Sequence, residues 1–286
     1  MAVSEAWKAA EQAARVAQVE LRPCTSLEDA DEILRIMIAT WGEHQLVPRE
    51  MIRALSDSGN EPYGAFRRGE MVGYVLGWMG SDRDGPHVHS HMLAVAPDLR
   101  SRGVGFALKL AQRAQALGQG YGVVRWTFDP LQSRNAHFNI NKLGVVCDRF
   151  HRNFYGAMTD VVNRGERSDR LVVRWDLDRA AGPRPIPKGD EVAVLEANGP
   201  DDLPRPARAE PIAPDGGSLR VCIPRDYARL KERDPGLAAE WRDAVGDVLE
   251  ECFGHGAIVV AFGSAGDRAP GYRLVFPGAA GDRAGR

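Results

Sequence analysis

The chain has 286 residues, 44% of them apolar, which is enough to bury a complete core without help from disulfides or metals. Its 37 Lys and Arg residues nearly balance 39 Asp and Glu residues, so the formal net charge is only -2. Such a balance gives no strong positive field for nucleic acid or for an anionic membrane surface. We therefore expect neither of them as a partner.

The chain opens with a polar, helix-prone segment that lacks the apolar stretch of a signal peptide, and nowhere do 18 apolar residues run together. Four cysteines are present, and none belongs to a CxxC or Cys/His ligand spacing. Reduced, buried thiols are therefore expected rather than a disulfide framework or a zinc site. Together these features predict a cytoplasmic protein without a membrane span.

From residue 19 to residue 177 the sequence alternates between strand-like and helix-like patterns, which is typical of an α/β or α+β domain. A leading helix is predicted over residues 1–18, and a second helix follows Ser26, a residue type that caps helices. Beyond them the patterns predict a hairpin over 63–67 and 71–79, strands over 87–95, 122–128 and 170–177, and helices over 103–117 and 135–143.

Residues 178–217 are rich in Pro, Gly and charge, a composition that cannot sustain a helix or a central strand. A linker or a surface arm is expected here. Strand and helix patterns return over residues 218–276, which predicts a small C-terminal α/β unit. Whether that unit makes a homodimer, completes a sheet or covers a cleft stays open, and the Gly- and Arg-rich residues 277–286 are expected to be a disordered tail.

The segment from Leu93 to Gln115 joins a strand to a long helix through a turn that contains two arginines and two glycines. Glycine lets the backbone approach a ligand, and the unpaired N–H groups at a helix start attract a phosphate. The arginines would add charge-assisted hydrogen bonds. The segment therefore predicts an anion site. The alternative is a helix start that needs Gly for packing, and a Rossmann site fits less well because the GxGxxG spacing is absent.

This turn resembles the motif of GNAT acetyltransferases, Arg/Gln-x-x-Gly-x-Gly/Ala after a strand that ends in Val-x-Pro. It reads Arg100-Ser101-Arg102-Gly103-Val104-Gly105 and follows Val95-Ala96-Pro97. The resemblance implies a GNAT fold, with a central mixed and mostly antiparallel sheet flanked by helices, and acetyl-CoA or another acyl-CoA as co-substrate. It assigns the pyrophosphate to the backbone of residues 100–105, and the pantetheine arm to the strand end at Leu93, Ala94 and Val95.

Residues 133–145 resemble the next element of that family, a helix that flanks the thioester end of the donor. Ala136, Lys142 and Gly144 fit its pattern, and the resemblance assigns Asn135 to the donor site. The sequence departs from the family at Ile140, where members often carry a tyrosine that protonates the departing thiolate. Tyr155 is the nearest replacement, with packing of its ring on the sheet as the alternative.

Three histidines, His87, His89 and His91, alternate along the strand before this turn, so a period of two places them on one face. A metal site is disfavoured because the strand carries no carboxylate or Cys beside them and its histidines are spread too far along it. Acid–base work is favoured because an acceptor amine must lose a proton before it attacks. The His89-Ser90-His91 sequence resembles the His-x-His pair of the arylalkylamine branch, which implies a proton relay by His89 and His91. Structural histidines are the alternative.

In GNAT proteins the loop after the first helix shapes the acceptor pocket, which here points to Trp41 and Glu43, with His44 beside them. A solvated loop charge is the alternative for Glu43 and His44. From about residue 20 to 276 the chain resembles a bacterial group of GNAT proteins with a C-terminal extension. Some relatives of that group are thought to acylate amino acids, with succinyl as an alternative to acetyl.

The sequence therefore predicts an acyl-CoA dependent N-acyltransferase that acts on a small amine or an amino acid by direct attack. A catalytically silent acyl-CoA sensor or scaffold with the same fold is the rival, and the missing tyrosine at position 140 favours it. The histidine pair and the complete Arg100 to Gly105 turn oppose that rival.

Overall fold

The computed structural model describes residues 3–43, 46–156, 166–185, 191–213, 217–264 and 269–277. Two compact units divide the chain. The first contains residues 1–126, 159–165 and 175–181, and the second contains residues 127–158, 166–174 and 182–286. The division thus falls after Trp126, well inside the domain that composition alone would extend to residue 177. His44 and the predicted tail beyond Pro277 lie outside the described residues.

The described part of the first unit contains four helices, four complete strands and most of a fifth strand, β5. They are α1 (Val3–Ala17), β1 (Glu20–Pro23), α2 (Leu27–Trp41), α3 (Arg49–Asp57), β2 (Tyr63–Arg67), β3 (Glu70–Asp82), β4 (Gly85–Val95), α4 (Val104–Gly118) and β5 (Val123–Phe128), with a 3-10 turn at Pro97–Leu99. The strand order is β1-β2-β3-β4-β5. Neighbours are antiparallel except β4 and β5, which run parallel.

Helices cover both faces of this first sheet. On one face α2 and α3 pack against a cluster that includes Tyr74 and Leu76 of β3. On the other face Val104 and Leu108 of α4 pack beside Ala17 of α1. The buried face of α1 consists of alanines, which permits a close approach to α4.

The N-terminus of α2 is capped by residues that are close together in the sequence, so the cap could be predicted locally. Ser26 accepts a hydrogen bond from the Asp29 backbone N–H, and the Asp29 side chain in turn accepts from the Ser26 backbone N–H. This reciprocal capping satisfies two N–H groups that a helix start otherwise leaves unpaired. The predicted capping role of Ser26 is confirmed.

The second unit holds three helices and six complete strands, together with most of β7. Its elements are α5 (Ser133–Ala136), which continues as a π-helix (His137–Leu143), β6 (Val146–His151), β7 (Arg170–Asp176), β8 (Glu191–Asn198), β9 (Arg205–Arg208), β10 (Ser218–Cys222), α6 (Tyr227–Arg233), α7 (Pro235–Gly254), β11 (Ile258–Gly263) and β12 (Gly271–Val275). The strand order is β7-β6-β11-β12-β10-β8-β9. Strands β8 and β10 pair in parallel, whereas the pairs β7–β6, β6–β11, β11–β12, β12–β10 and β8–β9 are antiparallel.

In each unit the strand pairing is mixed and mostly antiparallel, with helices alongside, so the predicted fold class is confirmed. The linker prediction needs correction. Residues 178–217 contain β8 and β9, and β8 is paired on both sides, by β10 and by β9. The prolines and glycines that suggested a linker lie outside Glu191–Asn198, a proline-free run in which strand pairing is unobstructed.

Candidate active site

A β-bulge interrupts β4 within the histidine segment. Along β3, Leu76 pairs with Met92 and the next residue, Gly77, pairs with Ser90, so His91 is the extra residue. A Cβ atom on Gly77 would lie 2.6 Å from the His89 carbonyl oxygen, and glycine at this position removes that clash. Bulges re-aim side chains and increase the local twist of a strand. The sequence period alone could not place this bulge.

The edge of β4 that faces away from β3 opens beyond the bulge. Pairing with β5 is formed by Val88 with Val124 and by His89 with Arg125, and it ends there. Strand β4 nevertheless continues along β3 to Val95. Its later backbone groups are therefore available for an extended ligand to pair with, in the way a strand edge recruits another strand.

The turn after β4 leads into α4, and the first turn of this helix has no side-chain cap. Gly103 is the N-cap residue, with a φ of 89°, and it has no side chain to cap the first turn. Ser101 also has a positive φ, of 64°. Arg100 folds back so that its Nε donates to the Val95 carbonyl oxygen at 3.2 Å. Unpaired N–H groups and the positive end of a helix dipole attract anions, so this turn is a candidate anion site with Arg100 beside it.

His89 and His91 lie together with Trp78, a residue that the sequence analysis missed. The two imidazole centroids are 5.8 Å apart, and the Trp78 ring lies 5.1 Å from His89 and 4.9 Å from His91. Trp78 is the cross-strand partner of His89 on β3. Only the β3–β4 register reveals this pairing, because no local sequence signal links the two positions.

Both imidazoles have depressed pKa values. Burial, and to a smaller extent positive charge at His91, His87 and Lys109, together lower the pKa of His89 to about 4. Burial also lowers the pKa of His91, although the residue is partly open to solvent. Each histidine is therefore predominantly neutral at pH 7, with a nitrogen lone pair that can accept a proton.

The remaining predicted residues of the first unit are distributed around this strand. Leu93 and Val95 pack toward the α4 side of the sheet, and Ala94 is buried on the α2 side. Trp41 packs against that α2-side cluster, as does Met92 of the bulge. Glu43 is exposed just after α2. Trp41 thus reaches the same apolar cluster as β4, whereas no hydrogen bond or ion pair joins Glu43 to the histidines within the part of the chain that the structure describes.

Asn135 and Tyr155 belong to the second unit. Asn135 is exposed in α5. The Tyr155 hydroxyl lies 3.3 Å from Thr127 Oγ1, its ring packs edge-on against Phe154, and the Arg170 guanidinium lies 5.4 Å from the ring centroid. Tyr155 is 44% exposed. Ile140, at the family tyrosine position, is buried.

Cys147 is a buried thiol, and burial raises its pKa well above the ordinary value, which opposes a nucleophilic role. Within the described residues, no group of three or more His, Cys, Asp or Glu side chains is arranged to hold a metal ion. The described helices include none that is long and apolar enough to cross a membrane.

Comparisons with known proteins place part of this chain in a family. The model of the acetyltransferase (GNAT) family matches residues 27–144. Among curated proteins no significant match was found.

Several solved structures are similar to the chain. Naa20 of Chaetomium thermophilum, in complex with a bisubstrate analogue, is 18% identical, with 56% of this chain and 88% of that chain covered and a TM-score of 0.45. The ribosomal-protein-S18-alanine N-acetyltransferase of Escherichia coli is 13% identical, with 57% and 96% covered and a TM-score of 0.44. An aminoglycoside acetyltransferase from an uncultured soil metagenomic sample, in complex with trehalose, is 16% identical, with 42% and 84% covered and a TM-score of 0.38.

The family match spans the elements that carry the site: the bulged strand β4, the Gly103 turn and α4 all lie within residues 27–144. Residues 27–144 are therefore a GNAT acetyltransferase domain, the domain of acyl-CoA dependent N-acyltransferases.

Proposed function

We propose that this protein transfers an acyl group from acyl-CoA to an amine by direct attack, and that the reaction takes place at strand β4 of the first unit. The observation that carries the proposal is the combination of an open β4 edge, an uncapped α4 N-terminus, and two neutral histidines on one strand. The acceptor is proposed to be a small amine or an amino acid, and the acyl group to be acetyl, with succinyl as the alternative.

The donor site is proposed to comprise the Arg100 to Gly105 turn and the β4 end. Gly103, in the left-handed conformation, has no side chain that could cap the first turn of α4 and compete with an anion for its N–H groups. Arg100 and Arg102 add positive charge at the same turn, and the edge from Leu93 to Val95 offers backbone pairing to an amide-bearing arm. Bound acyl-CoA supplies an activated thioester carbonyl. We assign Asn135 to the donor site on the sequence resemblance.

The acid–base roles are assigned to the histidines. An ammonium acceptor must lose a proton to become a nucleophile, and a neutral imidazole is a suitable base. Because the pKa of His89 is about 4 whereas that of His91 is lowered by burial alone, His91, which reaches solvent, is proposed to take the amine proton first. His89 orients His91 or extends the relay. Tyr155 stays a prediction as the proton donor to the leaving sulfur.

The acceptor is proposed to enter on the face that carries Trp78 and the histidines. Trp41, which packs against the α2-side cluster, is proposed to line the acceptor side of the site. Glu43 is proposed to attract an ammonium group from the rim. We also propose a cytoplasmic location, as the reduced and buried cysteines suggest.

A catalytically silent acyl-CoA sensor is the second candidate function. The buried Ile140 favours it, since that position lacks the usual proton donor. In a sensor the α4 turn would still bind the donor, but the histidines would have no role in turnover. The two candidates therefore differ in one measurable property, the release of free thiol in the presence of an amine.

The test is a thiol-release assay with acetyl-, succinyl- and longer acyl-CoA, each with pooled amines and amino acids. Donor binding is measured in parallel by calorimetry on the wild type and on Gly103→Glu, which places a carboxylate at the proposed anion site. Turnover that disappears in Gly103→Glu supports the enzyme. If the wild type binds the donor but turns over with no acceptor, the sensor is supported. If the wild type does not bind the donor, the assignment of the Arg100 to Gly105 turn is refuted.

A further inference from the structure

Lys109 is a lysine in the core of the first unit. It lies on α4, its side chain is 2% exposed, and its Nζ donates to Ser90 Oγ at 2.7 Å and to Gln112 Oε1 at 3.2 Å. The Nζ atom also lies 3.7 Å from the centroid of the Trp126 ring. None of the described residues forms an ion pair with it. Lysine is among the side chains that are almost never fully buried without a charged partner.

The groups around Lys109 provide one acceptor for each N–H group of its ammonium. Two oxygen acceptors and one aromatic face are available to the three N–H groups of an ammonium. Burial lowers the pKa of Lys109 well below its ordinary value. Burying an ammonium costs free energy that an apolar side chain of similar length would not cost. A purely structural explanation for a lysine here is therefore weak.

The partner of Lys109 connects it to the histidine pair. Ser90 lies between His89 and His91 on β4, and it is the residue paired with Gly77 at the bulge. The Ser90 side chain points to the α4 side, away from the two imidazoles. Gln112, the second acceptor, packs over Gly77, where an added Cβ would lie 2.8 Å from Gln112 Nε2. At the bulge, Lys109 thus contacts β4 through Ser90, and Gln112 contacts β3 at Gly77, both from the α4 side.

We propose that Lys109 is a positioning residue for His89 and His91: by holding the Ser90 hydroxyl at the bulge, it sets the direction of both imidazoles and places a positive charge beneath His89. This inference rests on the proposed function insofar as it concerns turnover. The effect on the histidines themselves is independent of any substrate.

The charged groups around His89 determine how its pKa should change when Lys109 is replaced. His87 and His91 flank it on β4, and Lys109 lies behind the strand on α4. Burial is the main cause of the lowered His89 pKa, and positive charge at these three groups lowers it in the same direction. Arg125 of β5 is its backbone neighbour, but the Arg125 guanidinium is paired with Asp84 at 2.8 Å and lies near Asp82. Removal of the Lys109 charge should therefore raise the pKa of His89.

The test compares Lys109→Met, Ser90→Ala and the double variant with the wild type and with Gln115→Met. Gln115 lies on the same helix but bonds Glu61, away from the bulge, and so serves as the matched control. The histidine titrations are followed by NMR of isotopically labelled imidazoles, assigned with His89→Gln and His91→Gln. Donor affinity is measured by calorimetry, and kcat and KM by thiol release with an acceptor found in the assay above.

We expect Lys109→Met to raise the pKa of His89, to shift the imidazole resonances of both histidines, and to lower kcat at least tenfold with donor affinity unchanged. Ser90→Ala should shift the same resonances, and the double variant should add little to either change because the two residues act through one hydrogen bond. Unchanged histidine titrations in Lys109→Met would overturn the inference, whether or not the protein turns over. A wild type without donor binding would instead refute the proposed function and leave the titration result standing.

Discussion

Arg242 and Asp129 form a two-pronged ion pair in the interior of the second unit. The Arg242 guanidinium donates to both carboxylate oxygens of Asp129, at 2.6 and 2.9 Å, and both residues are buried. Arg242 also donates to Glu166, which Lys231 contacts at 3.0 Å. A buried carboxylate that loses such a partner is left charged in a medium that does not solvate it.

We therefore expect Arg242→Met to lower the free energy of unfolding by about 3–5 kcal/mol. The double variant Arg242→Met/Asp129→Leu should recover much of this loss, because no unpaired charge then remains. Urea denaturation followed by circular dichroism measures both. Arg205→Met is the control, since Arg205 forms an exposed pair with Glu240 and its loss should cost less than about 1 kcal/mol. A loss in Arg242→Met no larger than in the control would contradict the prediction.

The second prediction concerns two glycines near the ends of α4. Gly103 and Gly120 have φ angles of 89° and 84°, and both have room for a Cβ atom. Replacing either by alanine should cost a similar amount of stability, about 1–2 kcal/mol, through the left-handed backbone. In Gly103→Ala, however, the start of α4 must also shift, so the dissociation constant of acetyl-CoA should rise about tenfold.

Calorimetry and thermal unfolding on the same two variants separate these effects. Equal losses of stability with weaker binding in Gly103→Ala alone would assign the start of α4 to donor binding. If the two variants bind acetyl-CoA equally well, the anion site lies elsewhere.

The sequence predicted best those elements that local chemistry determines. Ser26 and Asp29 cap α2 by bonds between neighbouring residues, and Gly103 starts α4 because only glycine adopts that backbone angle easily. The strand over residues 87–95 was likewise predicted from its own residues. These signals need no information about distant parts of the chain.

Features that depend on strand pairing could not be predicted from the sequence. Strand β8 lies between two proline-rich segments and is stabilised by β10 and β9, which are remote or weakly patterned in sequence. The bulge at His91 requires the register with β3 and the small Gly77 opposite it. Trp78 joins the candidate site for the same reason, because it meets His89 only across two strands.

The third prediction concerns the histidine pair itself. We expect His91→Gln to lower kcat/KM about 100-fold or more at pH 7 and His89→Gln to lower it by a smaller factor, because the first would remove the base and the second its partner. Donor affinity should stay within twofold of the wild type, since neither ring lies at the α4 turn. Steady-state thiol release gives the first quantity and calorimetry the second. His255→Gln, an exposed histidine in the second unit, should leave both values unchanged. Equal activity of His91→Gln and the control would remove His91 from the mechanism.

The last prediction links the pKa of His89 to stability. In the folded protein this pKa is about 4, below the ordinary value of 6.5, so the unfolded chain binds a proton that the folded chain rejects between these values. The contribution of neutral His89 is therefore fully present above pH 6.5 and is lost as the pH falls toward 4. We expect the wild type to lose about 1–3 kcal/mol more stability than His89→Gln between pH 7 and pH 4. Urea denaturation at half-unit pH steps measures this difference, with His255→Gln as the control that should follow the wild type. Parallel pH profiles for wild type and His89→Gln would show that His89 is not held neutral by the fold, and its role beside His91 would then require a charged imidazole.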